Sequence, residues 1–277
     1  MSFLDGNERI TQATNDEIRS CRGLDVYSFP ELVEKVALIS FHNPEHVLLF
    51  RGQKKEYRNM AGLTYIKPSI FRPVGNRNAP PRAPIVRLRY QRLRVAEMRI
   101  VNCFRREGFL GRERVARSRI LQWAIIQHYG ICATPLLDVT HSLRVAASFA
   151  TMGEYSSEPI ICVLAAPSLG GTISASSEQG IQSIRLSSIC PPVARRPYFQ
   201  EGYLLGEYPD LTTFSEKQRY APHEIDFGLR LLAKFHIASK NFWNGHFSPI
   251  PEDALFPNAR DPLYRISQRI KRHLPPI

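Results

Sequence analysis

Residues 127–150 read QHYGICATPLLDVTHSLRVAASFA, and this segment constrains the fold more than any other in the chain. An apolar helical pattern runs into His128-Tyr129-Gly130. A short apolar strand over 135–140 follows and ends in polar groups. A second helix starts at His141-Ser142. Chains that mix strands and helices build pockets in this way, because unsatisfied backbone N–H groups gather where strands end and helices begin. His128, Tyr129, Gly130, Thr134, Asp138, Thr140, His141 and Ser142 are its candidate ligand-facing residues. Each has a plainer reading too. His128 can be a satisfied core histidine, Asp138 a structural carboxylate that binds backbone N–H groups or Arg51, and His141-Ser142 no more than a helix cap.

The remaining elements follow from pattern and punctuation. Residues 1–22 form a polar lead-in with a short helix from Asn15. Ser28-Phe29-Pro30-Glu31 opens a helix with a cap, a first-turn proline and a favourable acid. Val47-Leu48-Leu49-Phe50 is a buried strand that runs into Arg51-Gly52. An arginine at the end of a buried strand, followed by glycine, either faces a cleft or ties a loop to a carboxylate. Residues 86–106 and 112–128 read as helices separated by Gly108 and Gly111, and residues 159–165 as a buried strand. Residues 168–183 read as a loop, the second half of 195–205 as a strand, and 225–238 and 263–272 as helices.

The formal net charge is +12, and of 37 basic residues only eight are lysines. Arginine's planar fork suits phosphate and carboxylate. Between Arg82 and Arg119 there are twelve arginines against Glu97, Glu107 and Glu113. Solvated helix faces normally mix signs, and this one hardly does. Phosphate contact through Arg87, Arg94, Arg105, Arg106 and Arg112 is the natural expectation, with RNA favoured as the nucleic acid. An acidic protein, such as an antitoxin or chaperone, would need the same surface.

The five cysteines are scattered and form no CxxC, which suits reduced thiols more than a disulfide frame or a zinc site. Cys132 is a conceivable catalytic thiol and more simply a spectator. No apolar run reaches the roughly 18–20 residues of a membrane span. The polar N-terminus is neither a signal nor a transit peptide, so the expectation is a cytoplasmic protein with no membrane partner. No phosphate-binding or dinucleotide glycine loop is present.

Several blocks together resemble the FRG domain family. Phe50-Arg51-Gly52 after an apolar strand is similar to its first signature. Gln127-His128-Tyr129-Gly130, Thr134, Leu136-Leu137-Asp138, Thr140, Ser142, Val145-Ala146 and Phe149-Ala150 resemble its second block nearly position for position. Arg196, Gln200, Gly202 and Tyr203 are similar to a third block, and Leu255-Phe256-Pro257 to a closing one. The resemblance spans about 45–270, which leaves 1–44 as a helical lead-in and makes 82–119 an arginine-rich insert. Val139 stands where the family commonly has an aromatic, and Tyr203 where it has phenylalanine.

More distantly, the block order is similar to ADP-ribosyltransferases of the arginine-serine-glutamate type. That likeness implies an α+β fold with a split mixed/antiparallel β core and flanking helices. It implies NAD as substrate and no metal. Arg51 would anchor NAD, with Gly52, Tyr129, Thr134, Asp138, Thr140 and Ser142 around it. Gln200 or Glu201 would be the catalytic polar group. Such enzymes usually carry a glutamate where Gly202 stands here, which leaves Glu207 and Glu224 as alternative acids. The expected activity is a toxin that modifies nucleic acid in a toxin–antitoxin or antiphage setting. The alternatives are a nuclease or other nucleotide-processing enzyme, and a non-catalytic basic binding module.

Overall fold

The structure, a computed structural model, describes residues 2–4, 10–75, 79–153, 158–167, 170–219 and 225–276. In chain order the strands are β1 (Ser2–Leu4), β2 (Ile10–Gln12), β3 (Leu24–Val26), β4 (Val47–Gln53), β5 (Leu137–Thr140), β6 (Ile160–Ala166), β7 (Ile173–Ser176), β8 (Ile181–Arg185), β9 (Gly202–Glu207) and β10 (Leu231–Ile237). The helices are α1 (Asn15–Ser20), α2 (Phe29–Phe41), α3 (Ala83–Arg106), α4 (Arg112–Arg117), α5 (Arg119–His128), α6 (Leu143–Thr151), α7 (Leu186–Ile189), α8 (Arg196–Phe199), α9 (Phe214–Lys217), α10 (Glu252–Leu255) and α11 (Pro262–Arg272). The fold is α+β with parallel and antiparallel strand pairs, and the chain forms two compact units, each assembled from three separate stretches.

The first unit comprises 1–66, 139–169 and 226–252. Its strand order is β3-β10-β6-β4-β5. β3 is parallel to β10, and the other pairs are antiparallel. All seven residues of β6 are buried, as befits a central strand of β-branched and small apolar residues. Leu32, Val36 and Ile39 of α2 and Ala146, Ala147 and Ala150 of α6 pack into one core with Phe50, Val163 and Phe235. Ser28 caps α2 by accepting from the Glu31 backbone N–H. The expected lead-in of 1–44 thus contributes core residues and the edge strand β3.

β10 also buries Lys234. Its Nζ donates to the carbonyls of Arg19 and Cys21, to Glu56 Oε1 at 2.7 Å and to Thr64 Oγ1 at 2.8 Å. Arg19, itself buried, donates to the Thr64 carbonyl and pairs with Asp226 at 2.7 Å. A buried charge is tolerated only when paired and hydrogen-bonded, and this network meets both conditions.

The second unit comprises 67–138, 170–225 and 253–277. Its strands run in the order β5-β9-β8-β7, with β5 represented by Leu137 and Asp138. Leu93, Ala96, Ile100 and Phe104 of α3, Trp123 and Ile126 of α5, and Leu263, Ile266 and Ile270 of α11 form its core. Glu97 is buried inside this unit and is neutralised by Arg94 at 2.6 Å and Arg119 at 3.3 Å, while the Trp123 indole donates to it at 2.6 Å.

Three expectations are corrected. Residues 225–238 do not form a helix. Asp226 caps a single 3₁₀ turn, Phe227–Arg230, and β10 follows. Ala233-Lys234-Phe235-His236-Ile237 does alternate as a strand does, although both polar side chains of the run are buried. The 112–128 helix is two helices, broken at Ser118 with φ −122° and ψ 109°. The buried Gln122 side chain donates to the Val115 carbonyl across this break. The expected loop over 168–183 contains the β7-β8 hairpin. β7 is an edge strand without a fully buried residue, so it carries no apolar signal. Residues 168 and 169 of that stretch lie outside the described residues.

Candidate functional site

In the first unit, β4 carries Arg51-Gly52, and Phe50 pairs with Thr140 at the end of β5. Ser142 caps α6 by accepting from Val145 N–H, and its own N–H donates to Thr140 Oγ1 at 3.0 Å. The helix then crosses β4 so closely that a Cβ on Gly52 would stand 1.8 Å from the Ala146 carbonyl oxygen. Small residues on α6 and glycine on β4 are therefore one requirement. They bring Arg51, Gly52, Thr140 and Ser142 into one neighbourhood. Arg51 lies opposite Cys162 on β6, whose thiol burial pushes up to about 12.

In the second unit, Gln127 and Thr134 organise the turn after α5. The Gln127 amide donates to Asp138 Oδ2 at 2.5 Å, and its carbonyl accepts from Thr134 Oγ1 at 2.6 Å and Ser69 Oγ at 3.0 Å. His128 is buried, with Nδ1 3.6 Å from Asp138 Oδ1 and no hydrogen-bond partner for Nε2. Burial, offset in part by Asp138, holds its pKa below the usual 6.5. Tyr129 donates to Asp261 Oδ2 at 2.8 Å, and the same oxygen accepts from the Arg195 and Arg196 backbone N–H groups. Asp261 Oδ1 caps α11. Tyr129 and Asp261 therefore fix where α8 begins.

The Arg196 guanidinium lies over the Tyr129 ring at 5.6 Å and the Phe256 ring at 4.7 Å. Just beyond α8, the buried Gln200 amide donates to the Leu255 carbonyl at 2.8 Å. Glu201 is exposed and has φ +43°, a left-handed conformation that costs a non-glycine residue about 1–2 kcal/mol. Gly202 then starts β9, and a Cβ there would lie 2.8 Å from Leu186 and 3.6 Å from the His128 ring.

Other candidates have defined places. Burial pushes the Cys132 thiol up to about 12, so it is not a thiolate at neutral pH. Glu207 pairs with the buried Lys217. Glu224 lies outside the described residues. Of the arginines expected to meet phosphate, Arg94 is engaged by Glu97, Arg106 by Glu107 and Arg112 by Glu113 at 3.9 Å. Arg87 and Arg105 are exposed without a salt bridge among the described residues. Arg89 is structural and donates to the carbonyls of Ile70 and Arg72. Among the described residues, no three His, Cys, Asp or Glu side chains are grouped to hold a metal, and no helix is long and apolar enough to cross a membrane.

The site residues that sequence reasoning missed are Ser69 and Asp261, together with the use of Gln127, Arg196 and Phe256.

An α+β chain with an arginine-glycine strand end, a strand tipped by Asp138 and Thr140 and a small-residue helix after it defines the class. Residues 46–158 match the family model of the FRG domain. No curated protein and no solved structure matches the chain.

Proposed function

We propose that this protein is a cytoplasmic NAD-dependent ADP-ribosyltransferase that modifies nucleic acid, with RNA favoured, as a toxin in defence or toxin–antitoxin systems. The observation that carries the reading is the backbone of Glu201. A left-handed glutamate, exposed and placed directly before Gly202, is a strained backbone position, and such strain concentrates at functional positions. Gln200 spends its amide on a structural hydrogen bond, so Glu201 is the better catalytic group of the two.

In this reaction the C1′–N bond of the nicotinamide ribose breaks, and nicotinamide leaves with the electron pair. A nucleophilic atom of the acceptor base then attacks C1′ and loses its proton. Glu201 stabilises the positive charge that develops on the ribose. In the first unit Arg51 binds the pyrophosphate beside Thr140 and Ser142, while Gly52 serves the close packing of α6; in the second, Tyr129, Thr134 and Asp138 accompany Glu201. No side-chain nucleophile is required.

The test is consumption of NAD by the purified protein with RNA, DNA and protein acceptors, read by release of nicotinamide and by mass added to the acceptor. Arg51→Ala and Glu201→Gly are expected to abolish turnover. Glu201→Gly is also expected to raise stability by roughly 1 kcal/mol, because glycine adopts φ > 0 without penalty. Absence of NAD turnover with every acceptor would sink the reading. A second reading, hydrolysis with His128 as general base, draws on its unpartnered Nε2. It would be supported by strand cleavage without added mass.

A further inference from the structure

Arg196 is held in an unusual way. Its guanidinium lies over two aromatic rings, and Nε is buried with no hydrogen-bond partner. Among the described residues none accepts a hydrogen bond from this side chain. The carboxylates whose charge reaches it, Asp138 and Asp261, have their oxygens engaged elsewhere. Those of Asp138 face Gln127 and His128, and those of Asp261 face Tyr129, the α8 backbone and the start of α11. A buried Nε–H on a cation, left without an acceptor, is costly unless a ligand uses it. Two ring faces orient the guanidinium plane and leave its N–H edges for a ligand.

The second idle group is the imidazole beside it. Both groups flank the Tyr129 ring, the imidazole edge-on at 5.4 Å and the guanidinium at 5.6 Å, and Asp138 lies 3.6 Å from the imidazole Nδ1. Asp138 at Nδ1 favours the tautomer that carries its proton there. That leaves Nε2, buried and unpartnered, as an acceptor for a donor not supplied by the protein. One site thus offers a fork of donors suited to an anion and one acceptor suited to a hydroxyl.

We propose that Arg196 and His128 form a recognition site for a ribose phosphate, with the guanidinium on the phosphate and the imidazole Nε2 accepting from a sugar hydroxyl. The surrounding unit supports a phosphate ligand. It carries 25 Lys and Arg against 12 Asp and Glu, whereas the other unit carries 12 against 13. The ribose phosphate can come from NAD or from a polynucleotide. The inference does not depend on the transferase reading, since binding is tested without turnover.

The probe is ribose 5-phosphate, followed by calorimetry and by the Arg196 Nε–H resonance of the full chain. The expected result is a ligand-dependent shift of that resonance and binding about tenfold tighter than inorganic phosphate, from the added hydroxyl contact. Arg196→Lys keeps the charge and loses the fork, and is expected to weaken both ligands at least about tenfold. His128→Phe is expected to bring ribose 5-phosphate down to the level of inorganic phosphate. Should either variant fail to fold, the wild-type resonance decides. An unmoved Nε–H, equal affinity for the two probes, or unchanged binding by Arg196→Lys would each overturn the proposal.

Competition names the source. Displacement of the probe by ADP-ribose supports NAD, displacement by a short oligoribonucleotide supports the acceptor, and displacement by neither refutes the site. Probe binding by a protein that never consumes NAD would remove the transferase reading and leave this one standing.

Discussion

The imidazole of His128 is closed off from water, with Asp138 at Nδ1 and the Tyr129 ring edge-on at 5.4 Å. Arg196 and Asp261 are the other charged groups that act on it. Burial outweighs the attraction of Asp138, and the folded pKa lies below the ordinary value of 6.5. The unfolded chain therefore binds a proton at a pH where the folded chain does not. Stability contributed by neutral His128 is fully present above 6.5 and is lost as pH falls from there towards the folded pKa. Urea melts between pH 7 and about 5 should show a slope of up to about 1.4 kcal/mol per pH unit from this one proton. His128→Gln should remove that slope, and an identical slope in the variant would show that another group is responsible. Asp261 illustrates a different economy at the same scale. One carboxylate accepts from Tyr129, starts α8 and caps α11, so three segments far apart in the chain meet at one side chain.

Between elements, the closest approach in the first unit is α6 on β4. Gly52→Ala places a methyl 1.8 Å from a carbonyl oxygen and 2.9 Å from the Ala150 nitrogen, and both are backbone atoms that cannot swing away. The expected cost is about 3 kcal/mol or more, measured as a lowered urea midpoint with the m-value retained. A loss below about 1 kcal/mol would mean that α6 can slide. This contact also marks what was legible beforehand. The glycine after Arg51, the alanines of α6, the Ser28 and Ser142 caps and the apolar period of α3 each declare themselves within a few residues, and each stands where the sequence put it. β10 and β7 did not. One is buried on both faces with a lysine inside it, and the other is a four-residue edge with nothing buried, so the short alternation in each was outweighed by its surroundings. The cluster of Ser69, Gln127, Arg196, Phe256 and Asp261 was opaque for another reason. Its parts are far apart in sequence, and only the folded chain makes them neighbours.

At the scale of the whole chain, the positive charge is not shared. The excess of 13 basic residues in the second unit accounts for more than the total of +12, because the first unit is slightly acidic. Single-stranded RNA should bind with an affinity that falls steeply with salt. Removing Arg105 and Arg272, both exposed and without a salt bridge among the described residues, should reduce the log–log salt slope by roughly 0.7 per residue. The exposed Lys240 of the first unit serves as the control. Equal slopes for all three proteins would remove these arginines from the interface. The two units also alternate along the chain, and this orders their birth. A ribosome that has made 230 residues has produced β3 and β6 but not β10, the strand that lies between them. Both of those strands wait with bare edges, so the first unit cannot close until its last stretch emerges. Emergence of β10 is thus the step in synthesis after which this unit first has all of its strands, and a partner that grips β3 or β6 before then would keep the unit unfinished.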